Sequence, residues 1–140
     1  MIHEEIVTHK VAKLAKDKGF DWGCLYHYDC KGSLHQHYAY DATNSGVGVD
    51  DLLMYHGHLY TSECLAPAQS LLQRWLREEK NIHIEIIATA SGYYWCVNKT
   101  NGTSITDSDV LNRGTNEGGC FDTYELALED ALACSLKNLV

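Results

Sequence analysis

The sequence lacks the apolar segments that would carry a chain into or across a membrane. No uninterrupted apolar run approaches the roughly 20 residues of a bilayer-spanning helix. The first residues, Met1–Glu5, also lack the basic stretch and following apolar stretch that form a secretory signal. We therefore expect a cytoplasmic protein that is neither secreted nor bound to a membrane.

Basic residues are also scarce. The chain has 11 lysines and arginines against 19 acidic residues, for a formal charge of −8. Such a charge repels phosphate backbones, so nucleic acid is not an expected partner. Neither the G-x-x-x-x-G-K-[ST] nor the G-x-G-x-x-G phosphate-binding pattern occurs, and we expect no cofactor.

The chain has six cysteines but no C-x-x-C pair. Closely paired cysteines are the usual sign of a structural zinc site or of a redox motif. The cysteines are instead widely spaced, and a chain without a secretory signal normally keeps them reduced. We interpret them as free thiols.

The residues that are present predict a globular α+β fold. Hydrophobic residues make up 45% and charged residues 21% of the chain, which suits a packed core. Apolar periodicity predicts helices over residues 3–18 and 66–79, a β-hairpin over 82–97 and a last helix after residue 121. We expect a single domain, 1–140, with an antiparallel sheet of about four strands packed against two to three helices. Its C-terminal part is predicted to be a helix-hairpin-helix unit, with a long loop over residues 98–120.

Individual residues refine the predicted helices. Asp122 is the expected cap of the last helix, because Glu125 follows three residues later as in a capping box. Tyr124 is expected in the core stripe of that helix. Trp75 lies centrally in the apolar stripe of the preceding helix and is expected to be buried.

Three segments of the sequence are each similar to a segment found in one known group of proteins. The segments are 12–21, 66–78 and 123–129, and they occur here in the same order. They resemble small proteins of Bacteroides-type gut bacteria and of their phages and mobile elements. The group has no assigned activity, so the resemblance implies a setting and not a chemistry.

Eight histidines raise the possibility of a metal site. The pairs His35 with His37 and His56 with His58 each have the x-separated spacing that puts both rings on one face of a strand. Zinc or nickel could be held by these rings together with a nearby thiol. The thiols of the same region belong to Cys24, Cys30 and Cys64.

A cysteine hydrolase is the second alternative in the same region. The segment Asp29-Cys30-Lys31-Gly32-Ser33 resembles the nucleophile turn of NlpC/P60-type cysteine peptidases, with His56 or His58 as the base. In that family the cysteine opens a helix, whereas Lys31-Gly32-Ser33 favours a turn. Without the helix N-terminus the thiolate would lack a main source of stabilisation.

Tyrosines and tryptophans are more numerous on the predicted strands than one face of a small sheet can bury. Such residues are enriched at protein interfaces. We therefore interpret the chain as a non-catalytic accessory protein of a phage or mobile element that acts through protein–protein interaction, as a homo-oligomer or with another protein. The alternative is a metal-binding protein or cysteine-dependent hydrolase that uses residues 24–64. The aromatic residues are Trp22, Tyr26, Tyr28, Tyr38, Tyr40, Tyr55, Tyr60, Tyr93, Tyr94 and Trp95.

Overall fold

A computed structural model describes residues 4–36 and 62–140. The chain divides into two compact units, residues 1–68 and residues 69–140. Each unit contains an antiparallel three-stranded sheet. The prediction of a single domain over residues 1–140 stays a prediction.

Helix α1 of the first unit spans His9–Asp17 and is shorter than the predicted 3–18. It starts at Thr8, whose hydroxyl accepts a hydrogen bond from the Val11 amide at 3.3 Å, as an N-cap does. The preceding residues are extended, because the Val7 amide donates to the Pro67 carbonyl at 3.0 Å. A backbone hydrogen bond to a distant segment therefore takes the place of the predicted first helical turns.

The sheet of the first unit contains β1 (Tyr26–Asp29), β2 (Leu34–Gln36) and β3 (Ser62–Leu65), in the order β2-β1-β3. A tight turn joins β1 to β2, so that His27 lies opposite His35. On its other side β1 pairs with β3. The short strands predicted for this part of the chain are thus present where the structure describes it.

The second unit begins with helix α2 (Gln69–Lys80), followed by β4 (Ile82–Thr89), β5 (Gly92–Lys99) and β6 (Ser104–Asp107). The strand order is β4-β5-β6, with Ile84 opposite Val97 in the centre of the hairpin. A short 3-10 helix at Glu117–Gly119 precedes helix α3 (Tyr124–Asn138). Helices α2 and α3 both pack against this sheet.

The α+β class and the antiparallel strands packed against helices are confirmed. The predicted arrangement differs in detail, because the described strands form two three-stranded sheets and not one sheet of about four strands. The hairpin between α2 and α3 also gains a third strand, β6. The apolar pattern did not predict this strand, because its sequence, Ser104-Ile105-Thr106-Asp107, contains one apolar side chain.

The predicted loop over residues 98–120 is tied to the sheet by backbone hydrogen bonds. The Ser108 amide donates to the Trp95 carbonyl at 2.9 Å, and the Trp95 amide donates to the Ser108 hydroxyl at 3.1 Å. Farther along, the Phe121 amide donates to the Tyr93 carbonyl at 2.7 Å. Hydrogen bonds to β5 therefore hold residues 98–120 against the sheet, although this segment has no regular apolar pattern.

The start of α3 lies one residue later than predicted. Thr123 is the N-cap, because its hydroxyl accepts from the Leu126 amide at 3.1 Å. Asp122, the expected cap, instead accepts from the side-chain amide of Asn116 at 2.8 Å. Tyr124 is 42% exposed and lies outside the core, whereas Leu128, Leu132 and Leu136 of the predicted core stripe are buried. The capping prediction for Asp122 is wrong.

The core of the second unit is centred on two tryptophans. Trp75 of α2 is buried, as predicted. Trp95 of β5 is fully buried, and its indole N–H donates to Asp130 of α3 at 2.9 Å. Asp130 also accepts from Arg113 through both of its carboxylate oxygens. These two interactions raise the pKa of the Arg113 guanidinium. One carboxylate thus joins the central strand, the last helix and the preceding segment.

We expect Asp130→Ala to lower the free energy of unfolding by roughly 2 to 3 kcal/mol, because it leaves the buried indole N–H without an acceptor. Arg113→Gln is the matched control, since it removes only the partly exposed ion pair and should cost about 1 kcal/mol or less. Urea denaturation followed by tryptophan fluorescence measures both values. Equal losses for the two variants would show that the indole hydrogen bond contributes nothing.

Candidate functional site

The turn between β1 and β2 carries the candidate nucleophile Cys30. The Asp29 side chain accepts from the amides of Lys31 and Ser33 at 2.8 and 3.0 Å, which closes a tight turn. Gly32 has the left-handed φ of 81° that this turn requires. Cys30 is therefore an exposed turn residue and does not open a helix. Its candidate bases, His56 and His58, lie outside the described residues.

His35 is the candidate metal ligand that the structure does describe. Its Nε2 lies 2.8 Å from Asp29 Oδ2, and its ring stacks on the buried His27 ring with centroids 5.2 Å apart. Hydrogen bonds from His35, and from the turn, lower the pKa of Asp29 to about 2. The other candidate ligands, His37, His56 and His58, lie outside the described residues. Over residues 4–36 and 62–140, no three His, Cys, Asp or Glu side chains are grouped to hold a metal ion.

The thiols of Cys24 and Cys96 are held in their protonated form. Burial raises the pKa of Cys24 to about 11, and Cys24 donates to the Tyr26 carbonyl at 3.4 Å. Burial also raises the pKa of Cys96, and the Glu85 carboxylate raises it further. A protonated thiol is a poor nucleophile at neutral pH. Neither cysteine is therefore suited to covalent catalysis.

Within residues 69–140, helices cover one face of the C-terminal sheet and leave its other face without a helix. Ile82, Ile84 and Val97 are buried on the helical face. On the opposite face Glu85, Cys96 and Asp107 lie side by side across the three strands. We call this second side the outer face of the C-terminal sheet.

An open cleft of about 390 Å³ lies at one end of this outer face. Three carboxylates line it, those of Asp107, Asp109 and Glu117, together with Tyr94 and Cys120. Burial raises the pKa of Tyr94, and the neighbouring Cys96 and Asp107 add to the effect. The cleft therefore favours cationic or neutral groups over anions. The described residues that line the cleft include no base paired with an activated nucleophile.

Strand β4 is an edge of the C-terminal sheet in the part of the chain that the structure describes. The side-chain amide of Gln73 donates to the Ile84 carbonyl at 3.0 Å, so the main chain at Ile84 faces away from β5. Main-chain groups alternate in direction along a strand, and those of Ile86 and Ala88 therefore face the same way. The pairing of Ala88 with Tyr93 supports this direction. The amide and carbonyl of Tyr93 bond to Phe121 on the other side of β5, so the main-chain groups of the opposite residue, Ala88, face away from β5.

The structure describes part of the predicted aromatic surface. Trp95 is buried in the core, and the Tyr28 hydroxyl donates to the Val7 carbonyl at 2.6 Å. Tyr93 and Tyr94 are half-buried. Tyr38, Tyr40, Tyr55 and Tyr60 lie outside the described residues. The sequence interpretation overlooked the edge of β4, for which the isoleucines at positions 82, 84, 86 and 87 were the available signal.

Comparison with protein-family models, with curated proteins and with solved structures finds no match for the chain. In the described residues, no helix combines the length and the apolar character that crossing a bilayer requires.

The Asp29–His35 contact has a consequence that a titration can measure. A carboxyl with a lowered pKa stabilises the folded state above its unfolded pKa of about 4 and loses that effect as the pH falls toward 2. We expect His35→Ala to move the Asp29 titration midpoint, followed by carboxyl-carbon NMR, up toward about 4. His83→Ala is the control, because His83 lies 3.3 Å from a different carboxylate, that of Glu85. An unchanged Asp29 midpoint in His35→Ala would exclude His35 as the cause.

Proposed function

We propose that this protein is a non-catalytic interaction protein that associates with a second copy of itself through strand β4. The observation that carries the proposal is the edge of β4 at Ile86 and Ala88, with which no other strand pairs in the part of the chain that the structure describes. A long edge strand with unpaired amides and carbonyls is a template for pairing with another strand. Two identical strands can pair in antiparallel fashion about a two-fold axis, which is the commonest symmetry of protein dimers.

The composition of β4 supports this role. The strand is eight residues long and rich in isoleucine, a residue type enriched in strands. It contains no proline and no lysine, the residues that commonly block an edge. Ala88 is exposed and small, so a second main chain can approach it closely.

The chemistry of the remaining candidates favours binding over catalysis. Cys24 and Cys96 have raised pKa values, and Cys30 lies in a turn without a helix. Among the described residues, the cleft is lined by three carboxylates, Tyr94 and Cys120 but by no histidine. A metal-binding protein or hydrolase therefore gains no support from the described residues.

The setting of the proposed function follows from the resemblance of segments 12–21, 66–78 and 123–129. Their likeness to small proteins of Bacteroides-type bacteria, phages and mobile elements supports an accessory role in a phage or mobile element. Such a protein would act in the cytoplasm as a homodimer. Its activity would be the presentation of a paired surface and not the turnover of a substrate.

The substitution Ala88→Pro tests the proposal. Proline removes the outward amide N–H of residue 88 but no bond to β5, so the unit should still fold. Each dimer would lose the two symmetry-related bonds of this amide. We expect the dissociation constant, measured by sedimentation equilibrium, to rise roughly tenfold or more.

Ala88→Ser is the matched control, because it changes the same side chain and keeps the amide. It should sediment as the parent protein does. A parent protein that stays monomeric at high micromolar concentration would contradict the proposal. So would a dimer that Ala88→Pro leaves unchanged.

A further inference from the structure

We infer that Gln73 restricts pairing to the distal half of β4 and thereby sets its register, with Ile86 of one copy opposite Ala88 of the other. This inference rests on the proposed self-association and specifies its geometry.

Gln73 occupies the edge of β4 at Ile84. Its side-chain amide donates to the Ile84 carbonyl at 3.0 Å, on the side that faces away from β5. A second strand that paired at Ile84 would have to bring its own amide to the same oxygen and displace the Gln73 side chain from it. Within residues 69–140, the stretch of edge left for pairing therefore starts beyond Ile84 and ends at the turn after Thr89.

Charge excludes a second register. Pairing Ile84 with Ile86 of the second copy would put Glu85 directly opposite Glu85 of that copy. Like charges directly opposite each other destabilise a strand pair. On the outer face Glu85 lies in the same row as Asp107, which adds negative charge there, and it contacts the imidazole of His83 at 3.3 Å.

Pairing Ile86 with Ala88 of the second copy avoids both the displacement of Gln73 and the repulsion between the two Glu85 side chains. The two-fold axis then passes between the two Ile87 side chains, which lie opposite each other on the outer face. Both Ile86–Ala88 pairs can exchange main-chain hydrogen bonds, and neither needs the Ile84 carbonyl. Glu85 lies opposite Thr89 of the second copy, a neutral residue. In this register the two Ile87 side chains make an apolar contact, and the main-chain groups of Ile86 and Ala88 are hydrogen-bonded.

Cross-linking tests this register. Residues of a pair without main-chain bonds between them lie roughly 4.5 Å apart at Cα, close enough for a disulfide. In a Cys30→Ser background, we expect Ile87→Cys to form a disulfide-linked dimer under mild copper-phenanthroline oxidation. His83→Cys is the control on the same face of β4, and it should remain monomeric on non-reducing gels.

A second variant tests the role of Gln73 itself. Gln73→Leu frees the Ile84 carbonyl, so that Ile84 can pair with Ala88 and Ile86 with Ile86 of the second copy. The Ile87 side chains then move out of direct opposition. We expect the yield of the Ile87→Cys cross-link to fall severalfold in the Gln73→Leu variant while the dimer persists in sedimentation.

The outcomes separate the register from the proposed function. A protein that sediments as a dimer but cross-links at His83→Cys, or not at Ile87→Cys, overturns the register and leaves self-association intact. A cross-link yield that Gln73→Leu leaves unchanged overturns the role of Gln73. A monomeric parent protein removes the proposed function and the register together.

Discussion

The arrangement of the second unit depends on the hydrogen bond between the Trp95 indole and the Asp130 carboxylate. Trp95 is fully buried in the middle of β5, and a buried indole N–H needs an acceptor. Asp130 supplies it from α3, and Arg113 compensates the charge of that carboxylate from the segment after β6. The main chain of Trp95 is bonded in turn to Ser108. One side chain and its backbone therefore fix a strand, a helix and a segment rich in polar residues.

This constraint also decides which strand is left at the edge. With Trp95 bonded on its β6 side to Ser108, β5 lies in the centre of the sheet and β4 lies at its side. The buried face of β4 packs against α2 and α3, and within residues 69–140 Gln73 covers its main chain at Ile84. The proposed self-association is a consequence of this partial cover. Its chemistry is that of main-chain hydrogen bonds and apolar contact, which needs neither a metal nor an activated thiol.

Periodicity predicted those parts of the fold in which apolar side chains repeat regularly. The apolar stripe that contains Trp75 predicted helix α2, and the alternating isoleucines predicted the hairpin of β4 and β5. The failures come from polar groups that bond at a distance. Thr123 is the N-cap in place of Asp122, because Asp122 is hydrogen-bonded to Asn116. Strand β6 contains a single isoleucine, and it is held by its hydrogen bonds to β5.

The site was less accessible to sequence reasoning than the fold. Histidines and cysteines drew attention to residues 24–64, whereas the proposed surface uses the main chain of Ile86 and Ala88, whose side chains carry no chemistry. The cover by Gln73 could not be predicted, since it joins a helix to a strand through one side-chain amide. The aromatic residues pointed toward association in general, whereas the isoleucine-rich composition of β4 was the signal for this particular edge.

Amide hydrogen exchange, measured by NMR as a function of protein concentration, tests the central claim most directly. The amides of Glu85 and Ile87 face β5 and should be protected at every concentration, because their bonds lie within one chain. The amides of Ile86 and Ala88 should exchange fast in dilute solution and become protected as the concentration rises through the dissociation constant. Exchange at these two amides that does not depend on concentration would contradict the association of this protein through β4.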